Sequence, residues 1–423
     1  MIEDSMIPVT LTFLFLWVAT WQGLTAAPKS RDEGETQDIN FLMPEVQPNV
    51  KDTYLCIPMK MNRTATFMTG FKPHANKDIA HHMLLYGCTT PGSQAKVWNC
   101  GEMAHSTSKY SEAPVCAGGP KILYAWAMDA PSLSLPKDVA FKVGGETDIR
   151  YLVLQVHYKD VSSFLPPKNG KDSSGITMIT SQTSSPKRAG VYLMGTGGMV
   201  PKKSTVYMET ACSFEENLVV FPFAYRTHAH THGMVTSGYR IRNGQWTEIG
   251  RMSPQKPQMF YNVTNNGMDV KKGDILAARC TMVNDENKDI SIGNTQNDEM
   301  CNFYIMYYID GDRTMRDTYC FSPGPPSWSW KTFDQTQKMH LENLPATASV
   351  RPDTGEELIQ TPRLETRNNN DLMSDLKEFD PSYQFGEDSH TYDGVDKLSS
   401  ILDKMYGEYH QMEDDYPEYN NIY

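Results

Sequence analysis

The chain has 423 residues, 39% of them hydrophobic and 21% charged, with 8 Cys, 26 Pro and 29 Gly, enough for two or three packed domains. Its formal charge is −12, yet residues 371–423 alone hold 14 Asp/Glu against 3 Lys, so the body is close to neutral and the acidity belongs to a tail. A near-neutral body with no Lys/Arg cluster offers no footprint for neutralising phosphates, which argues against a nucleic-acid partner.

From residue 7 to residue 17 the chain reads IPVTLTFLFLW, followed by small residues at Gly23, Thr25, Ala26 and Ala27. An apolar run with a small-residue site after it predicts a secretory signal peptide over 1–27. Glu3 and Asp4 are acidic where such peptides carry positive charge, so translation from Met6 is the alternative start. The run is shorter than the roughly 20 residues that span a bilayer, so no transmembrane segment is expected after signal removal. The eight Cys at 56, 88, 100, 116, 212, 280, 301 and 320 contain no C-x-x-C pair, and behind a signal peptide they read as disulfides in two groups of four. The sequons at Asn62 and Asn262 agree with secretion and glycosylation, and the expected location is extracellular or the lumen of secretory granules.

Along the body, TYLCIPM, HHMLLYGC, YLVLQVHY, GVYLM, LVVFPFAYR, DILAARC and NFYIMYYI are short apolar or alternating runs with turn chemistry between them, and each predicts a strand. No stretch of ten or more residues between 38 and 323 has helical periodicity. The fold class is therefore all-β: two jelly-roll or β-sandwich domains in tandem with a largely disordered acidic C-terminal tail. The Ser/Pro/Gly-rich segment 162–188 predicts a linker between an N-terminal domain at 38–161 and a second at 189–335, with the tail over 336–423. Within that tail Leu398, Ile401, Leu402, Met405 and Tyr409 form the stripe of a short amphipathic helix. Tyr416 and Tyr419 lie among acidic residues, a context for tyrosine sulfation in a docking or sorting segment.

The chemistry concentrates in histidines. Residues two apart on a strand share a face, so His228 and His230 can close on one metal ion, and Arg226 on the same face can hold an anion beside it. Adjacent His81 and His82 point to opposite faces of a regular strand, so sharing a metal requires a strand end, twist or bulge. Met300, Asn302 and Tyr304 share a face while Cys301 points the other way. A thioether from Met300 suits Cu(I) and not zinc, the alternative being that Met300 fills core.

The runs HHMLLYGC, YLVLQVHY, FAYRTHAH, SGYRIRNGQW, GDILAARC and DEMCNFYIMYY, in order over roughly 40–322, closely resemble peptidylglycine alpha-hydroxylating monooxygenases. The resemblance implies two copper ions facing each other across a solvent-filled cleft, one on His81, His82 and His157 and the other on His228, His230 and Met300. It also implies ascorbate as reductant and O2 as co-substrate. Arg226, Asn302 and Tyr304 are then the receivers of the C-terminal carboxylate of glycine-extended peptides, whose alpha carbon is hydroxylated. Gln155, beside His157, lies on the implied electron route, and a separate lyase enzyme would act on the product, because the residues after Trp330 are too few for a propeller domain. Disulfides Cys56–Cys100, Cys88–Cys116, Cys212–Cys320 and Cys280–Cys301 follow from the same resemblance. The sequence departs from it at Asn40 and Ser173, where the family carries a fifth disulfide, in a longer loop at 101–115, and at His232, an extra histidine past the metal pair. Two other readings stay open here: a zinc hydrolase or lyase built on His228, His230 and His232, and a non-catalytic secreted copper-binding protein.

Overall fold

The computed structural model describes residues 36–100, 109–293 and 297–361. The expected signal peptide, most of the long loop at 101–115, and the tail beyond 361 with its apolar stripe and its tyrosines lie outside the described residues. Within them the regular secondary structure is strand, apart from one helix, Trp330–Gln337, and two short 3-10 turns. None of the described helices is long and apolar enough to cross a membrane.

The first half is a two-sheet sandwich. One sheet sets Thr53–Lys60, Tyr151–Tyr158, His82–Cys88 and Lys121–Ala127 side by side, with the short Trp98–Asn99 at its edge. The other runs Thr36–Leu42, Gly175–Ser181, Ala65–His74, Val139–Gly144. Alternating inward side chains such as Leu55, Leu85, Phe71, Phe141 and Leu154 fill the space between them, all buried, as the pleat requires. The second half repeats the plan with Lys187–Thr196, Asn302–Asp310 and Val219–His228 facing Ser204–Ser213, Ile275–Asn284, Gly233–Arg242 and Gln245–Met252.

Two expectations about boundaries are displaced. The segment 162–188 was expected to be a linker, but Gly175–Ser181 is a full strand between Thr36–Leu42 and Ala65–His74. Its GITMITS alternation places Ile176 and Met178 in the core, and the Ser and Pro residues on both sides mask it in the sequence. Nor are the halves separated by a seam: Lys187 and Arg188 pair in parallel with Val139 and Ala140, so one sheet runs through both. Residues 336–361, expected in the tail, pack on the outside of the second half. That outer sheet face carries Tyr239, Ile241, Trp246 and Ala277, and Trp330, Met339 and Ala348 cover it. Leaving so large an apolar face in water would be costly. Polar contacts fix the cover: Arg279 is ion-paired to Glu209 at 2.6 Å and Trp330 N–H donates to the same carboxylate at 2.8 Å. Arg251 donates to the Val350 carbonyl at 2.6 Å.

The cysteines pair as Cys56–Cys100, Cys88–Cys116, Cys212–Cys320 and Cys280–Cys301, the set that the resemblance implied, and none of these bridges joins the halves. At Asn40, one of the two positions where the resembled family carries a fifth bridge, the side chain lies opposite Thr177 and accepts a 2.6 Å hydrogen bond from its hydroxyl. Both sequon asparagines, Asn62 and Asn262, are exposed.

Candidate metal centres

The first cluster forms where two antiparallel strands end together. His82 opens His82–Cys88 and lies directly opposite His157 in Tyr151–Tyr158. His81 stands just outside the strand, its N–H donating to the His157 carbonyl at 2.9 Å. Free of strand parity, its ring turns back toward the other two. The three rings lie 4.8–5.5 Å apart by centroid, and one nitrogen from each falls within 4.8 Å of the others.

Which nitrogens converge follows from their partners. His157 Nε2 faces Asp52 Oδ1 at 3.1 Å, so the proton sits there and Nδ1 keeps its lone pair, the carboxylate–histidine arrangement of metal ligands. Tyr54 stacks flat on the same ring at 4.0 Å. The Nδ1 atoms of His81 and His157 stand 3.2 Å apart, and His82 Nδ1 is buried with no partner. Three nitrogens aimed at one point, one of them orphaned, fit a bound cation. Burial, aided by its neighbour His157, drives the pKa of His81 down to about 4, and burial also lowers those of His82 and His157. All three stay neutral, the ligand form, at neutral pH. Gln155 shares the face of His157, and its amide is taken up by the Cys100 carbonyl at 3.4 Å.

The second cluster draws on Val219–His228, the loop after it, and the residues entering Asn302–Asp310. His228 is the last residue of its strand and pairs with Asn302, while Arg226 pairs with Tyr304. His228 Nδ1 donates to Gln258 Oε1 at 2.6 Å and His230 Nδ1 to the Asp298 carbonyl at 2.8 Å. Both therefore offer Nε2. His228 Nε2 lies 3.3 Å from Met300 Sδ, with the His230 ring 5.5 Å away by centroid. Two imidazole nitrogens and a soft thioether are a donor set for Cu(I). The loop can turn this tightly because Gly233 lacks a side chain: a Cβ there would collide with Ala229.

His232 goes elsewhere. The strand stops at His228, so the parity that put His232 on the ligand face does not reach it, and its Nδ1 meets Glu299 Oε1 at 2.9 Å. The three-histidine set His228, His230, His232 is not assembled.

Arg226 is buried beside this cluster. Its Nε donates to the Gln258 carbonyl at 2.8 Å and Nη2 to Gln258 Oε1 at 3.2 Å, and its guanidinium lies 4.9 Å from the Tyr304 ring centre. Among the described residues no carboxylate is within ion-pair distance of it. Burial lowers the Arg226 pKa, with the Tyr304 phenol opposing, and burial raises that of Tyr304. Asn302 hydrogen-bonds Tyr304 and sends its amide toward Met300 Sδ at 3.9 Å. Sequence reasoning missed Gln258: its Oε1 serves both Arg226 and His228, and its Nε2 donates to the carbonyls of Ala229 and Pro254. It sits in a Pro-rich loop without periodicity, as Asp52 sits in a turn, and neither position carries a pattern that marks it.

The two clusters adjoin. The His82 and His228 rings meet edge to face at 6.2 Å, in place of the open cleft the resemblance implied. Tyr304, Phe260 and Ala224 of the second half share one apolar cluster with Tyr124 and Ala130 of the first, which draws this end shut.

The model of the copper type II ascorbate-dependent monooxygenase N-terminal domain matches residues 39–164, and that of the C-terminal domain matches 187–333. Among curated relatives, the mouse peptidyl-glycine alpha-amidating monooxygenase is 42% identical over 303 residues, 70% of this chain and 29% of the relative. Form A of the Xenopus laevis enzyme is 39% identical over 330 residues, 77% of this chain and 32% of the relative. Dopamine beta-hydroxylase of the dog is 25% identical over 307 residues, 67% of this chain and 47% of the relative. The chain thus spans about a third of the length of the peptidyl-glycine relatives it matches.

Proposed function

The chain belongs to the copper type II ascorbate-dependent monooxygenase family, and from that premise we propose that it hydroxylates the alpha carbon of a C-terminal glycine in peptides. One observation carries the substrate: Arg226 is a buried guanidinium without an internal carboxylate, next to the His228/Met300 donors. A buried cation is costly until an anion pairs with it, and a peptide C-terminus supplies one. A phenethylamine has no carboxylate and would leave Arg226 uncompensated.

His81, His82 and His157 would hold one copper through Nδ1, and His228, His230 and Met300 the other. Copper there supplies one-electron exchange with dioxygen, which zinc lacks. The net reaction takes the peptidylglycine, O2, two electrons from ascorbate and two protons to the alpha-hydroxyglycine and water. The residues of the chain provide position. Arg226 receives the carboxylate through charge-assisted hydrogen bonds, Tyr304 and Asn302 bracket it, and the alpha carbon is brought toward the His228/Met300 donors. Gln258 links the two tasks, since one amide oxygen orients both Arg226 and His228. In the closed arrangement Arg226 is covered, so the peptide needs an opening at the end where His82 meets His228. Breakdown of the hydroxyglycine to amide and glyoxylate calls for a further lyase activity or a base, which the residues of these two sites do not supply. The four disulfides and the exposed sequons support an oxidising compartment, a secreted or granule-lumen location.

The test is turnover of the copper-loaded chain with ascorbate and a glycine-ended peptide, compared with the same peptide ending in a carboxamide. Hydroxylation of the acid alone is expected. Equal turnover of the carboxamide would defeat the assignment of Arg226.

A further inference from the structure

Beside the second cluster lies a group of residues that neither the metal donors nor the carboxylate receivers account for. Glu299 is fully buried, immediately before Met300. Its Oε2 accepts the backbone N–H of His230 at 2.9 Å and that of Met300 at 3.2 Å. Its Oε1 accepts the backbone N–H of His232 at 2.7 Å and His232 Nδ1 at 2.9 Å. One carboxylate thus ties together two stretches of chain, 230–232 and 299–300, that each present a metal donor, alongside the bond from His230 Nδ1 to the Asp298 carbonyl. His232 in turn is braced on its far side, Nε2 lying 3.3 Å from Glu286 Oε1, and its carbonyl accepts from Val283 N–H at 2.9 Å.

We propose that Glu299 and His232 act together as positioning residues for the His228/His230/Met300 centre: the carboxylate sets the separation of His230 from Met300, and the His232 ring holds the carboxylate in place. The inference rests on the copper reading of that centre. A buried carboxylate has several acceptor sites and would otherwise turn toward whichever donors relax first. With four donors converging on it, its orientation is fixed, and the fixed partner transmits to the backbone of both ligands. This gives the extra histidine a task that requires it to stay off the metal. Partners one step removed from a metal typically alter affinity or activity by 10- to 100-fold when lost.

The full-length chain tests this in two measurements on wild type, His232→Leu, His232→Gln and Glu299→Gln. In the metal-free protein, hydrogen exchange of peptides covering 229–232 and 298–301 should speed up by about tenfold in His232→Leu, and by more in Glu299→Gln. Exchange in Ser204–Ser213 and in the first half should not change. Cu(I) affinity at the methionine-containing centre, read by chelator competition with the copper–sulfur signal in X-ray absorption, should weaken by about tenfold or more. The three-histidine centre should keep its copper, and His232→Gln, whose amide can still donate to Glu299, should recover much of the loss. Local exchange and affinity both unmoved, or faster exchange spread through the whole second half, would overturn the proposal. Faster local exchange with unchanged Cu(I) affinity would overturn it as well. A wild-type chain that binds no copper at Met300 would overturn the copper reading and the proposal together, whereas normal uptake by an indifferent set of variants overturns the proposal alone.

Discussion

On the proposed substrate pose, replacing Arg226 with Ala removes the cation that pairs with the peptide carboxylate, and the expected result is a KM raised by about 10- to 100-fold, the equivalent of the 1.5–3 kcal/mol of a hydrogen bond to a charged group. Steady-state kinetics with a glycine-ended peptide checks it, and an unchanged KM would remove the carboxylate from this position. The imidazoles make a second prediction. In the metal-free chain, burial holds the pKa of His81 at about 4 and keeps those of His82, His157 and His228 low, while in the unfolded chain they return to about 6.5. Between those limits the unfolded state binds more protons, so stability rises with pH and is lost as pH falls below about 6.5. The melting temperature of chelator-treated protein should therefore drop between pH 7 and pH 5 and hold steady from 7 to 8. A flat profile would mean that these rings charge freely in the folded state. At this scale the residue types that bear the chemistry were legible in the sequence because histidine pairs and an arginine on one strand face are local patterns. Asp52, Gln258 and Glu299 were not, because each acts through a partner 30 to 105 residues away.

Among the elements, the strands that carry the donors were readable from their alternation, and the failures came where flanking chemistry or distant packing decided. Gly175–Ser181 hides between Ser-rich stretches, although Ile176 and Met178 are core residues. The segment 336–361 has neither strand nor helix periodicity over most of its length, since its order comes from the sheet it covers rather than from its own pattern. That has a measurable consequence. Truncation after Thr361 should leave the melting temperature and kcat unchanged. Truncation after Pro345 removes Ala348 from the core, Ser349 from its bond to Thr281 and Leu358 from Tyr207, and should lower the melting temperature by about 5–10 °C. Equal melting of the two truncated chains would show that the cover contributes nothing.

For the molecule as a whole, the continuous sheet and the apolar cluster shared by both halves predict one calorimetric unfolding transition with equal calorimetric and van't Hoff enthalpies. Two resolved transitions would mean that the halves are energetically separate. The disulfides divide differently, two to each half, and the difference matters on the ribosome. Both first-half bridges close within residues 56–116, long before Lys187 emerges to pair with Val139. At about 5–20 residues per second the interval is on the order of ten seconds. During it the strand Val139–Gly144 waits with one edge open, the kind of edge on which nascent chains stick to one another. Lys142 lies in that strand, and the Asp312 with which it pairs in the finished protein, at 2.8 Å, has not yet been made. Until translation reaches it, the ammonium group is a solvated charge on an unfinished edge, and the surface ion pair of the folded chain begins its life as a guard against aggregation.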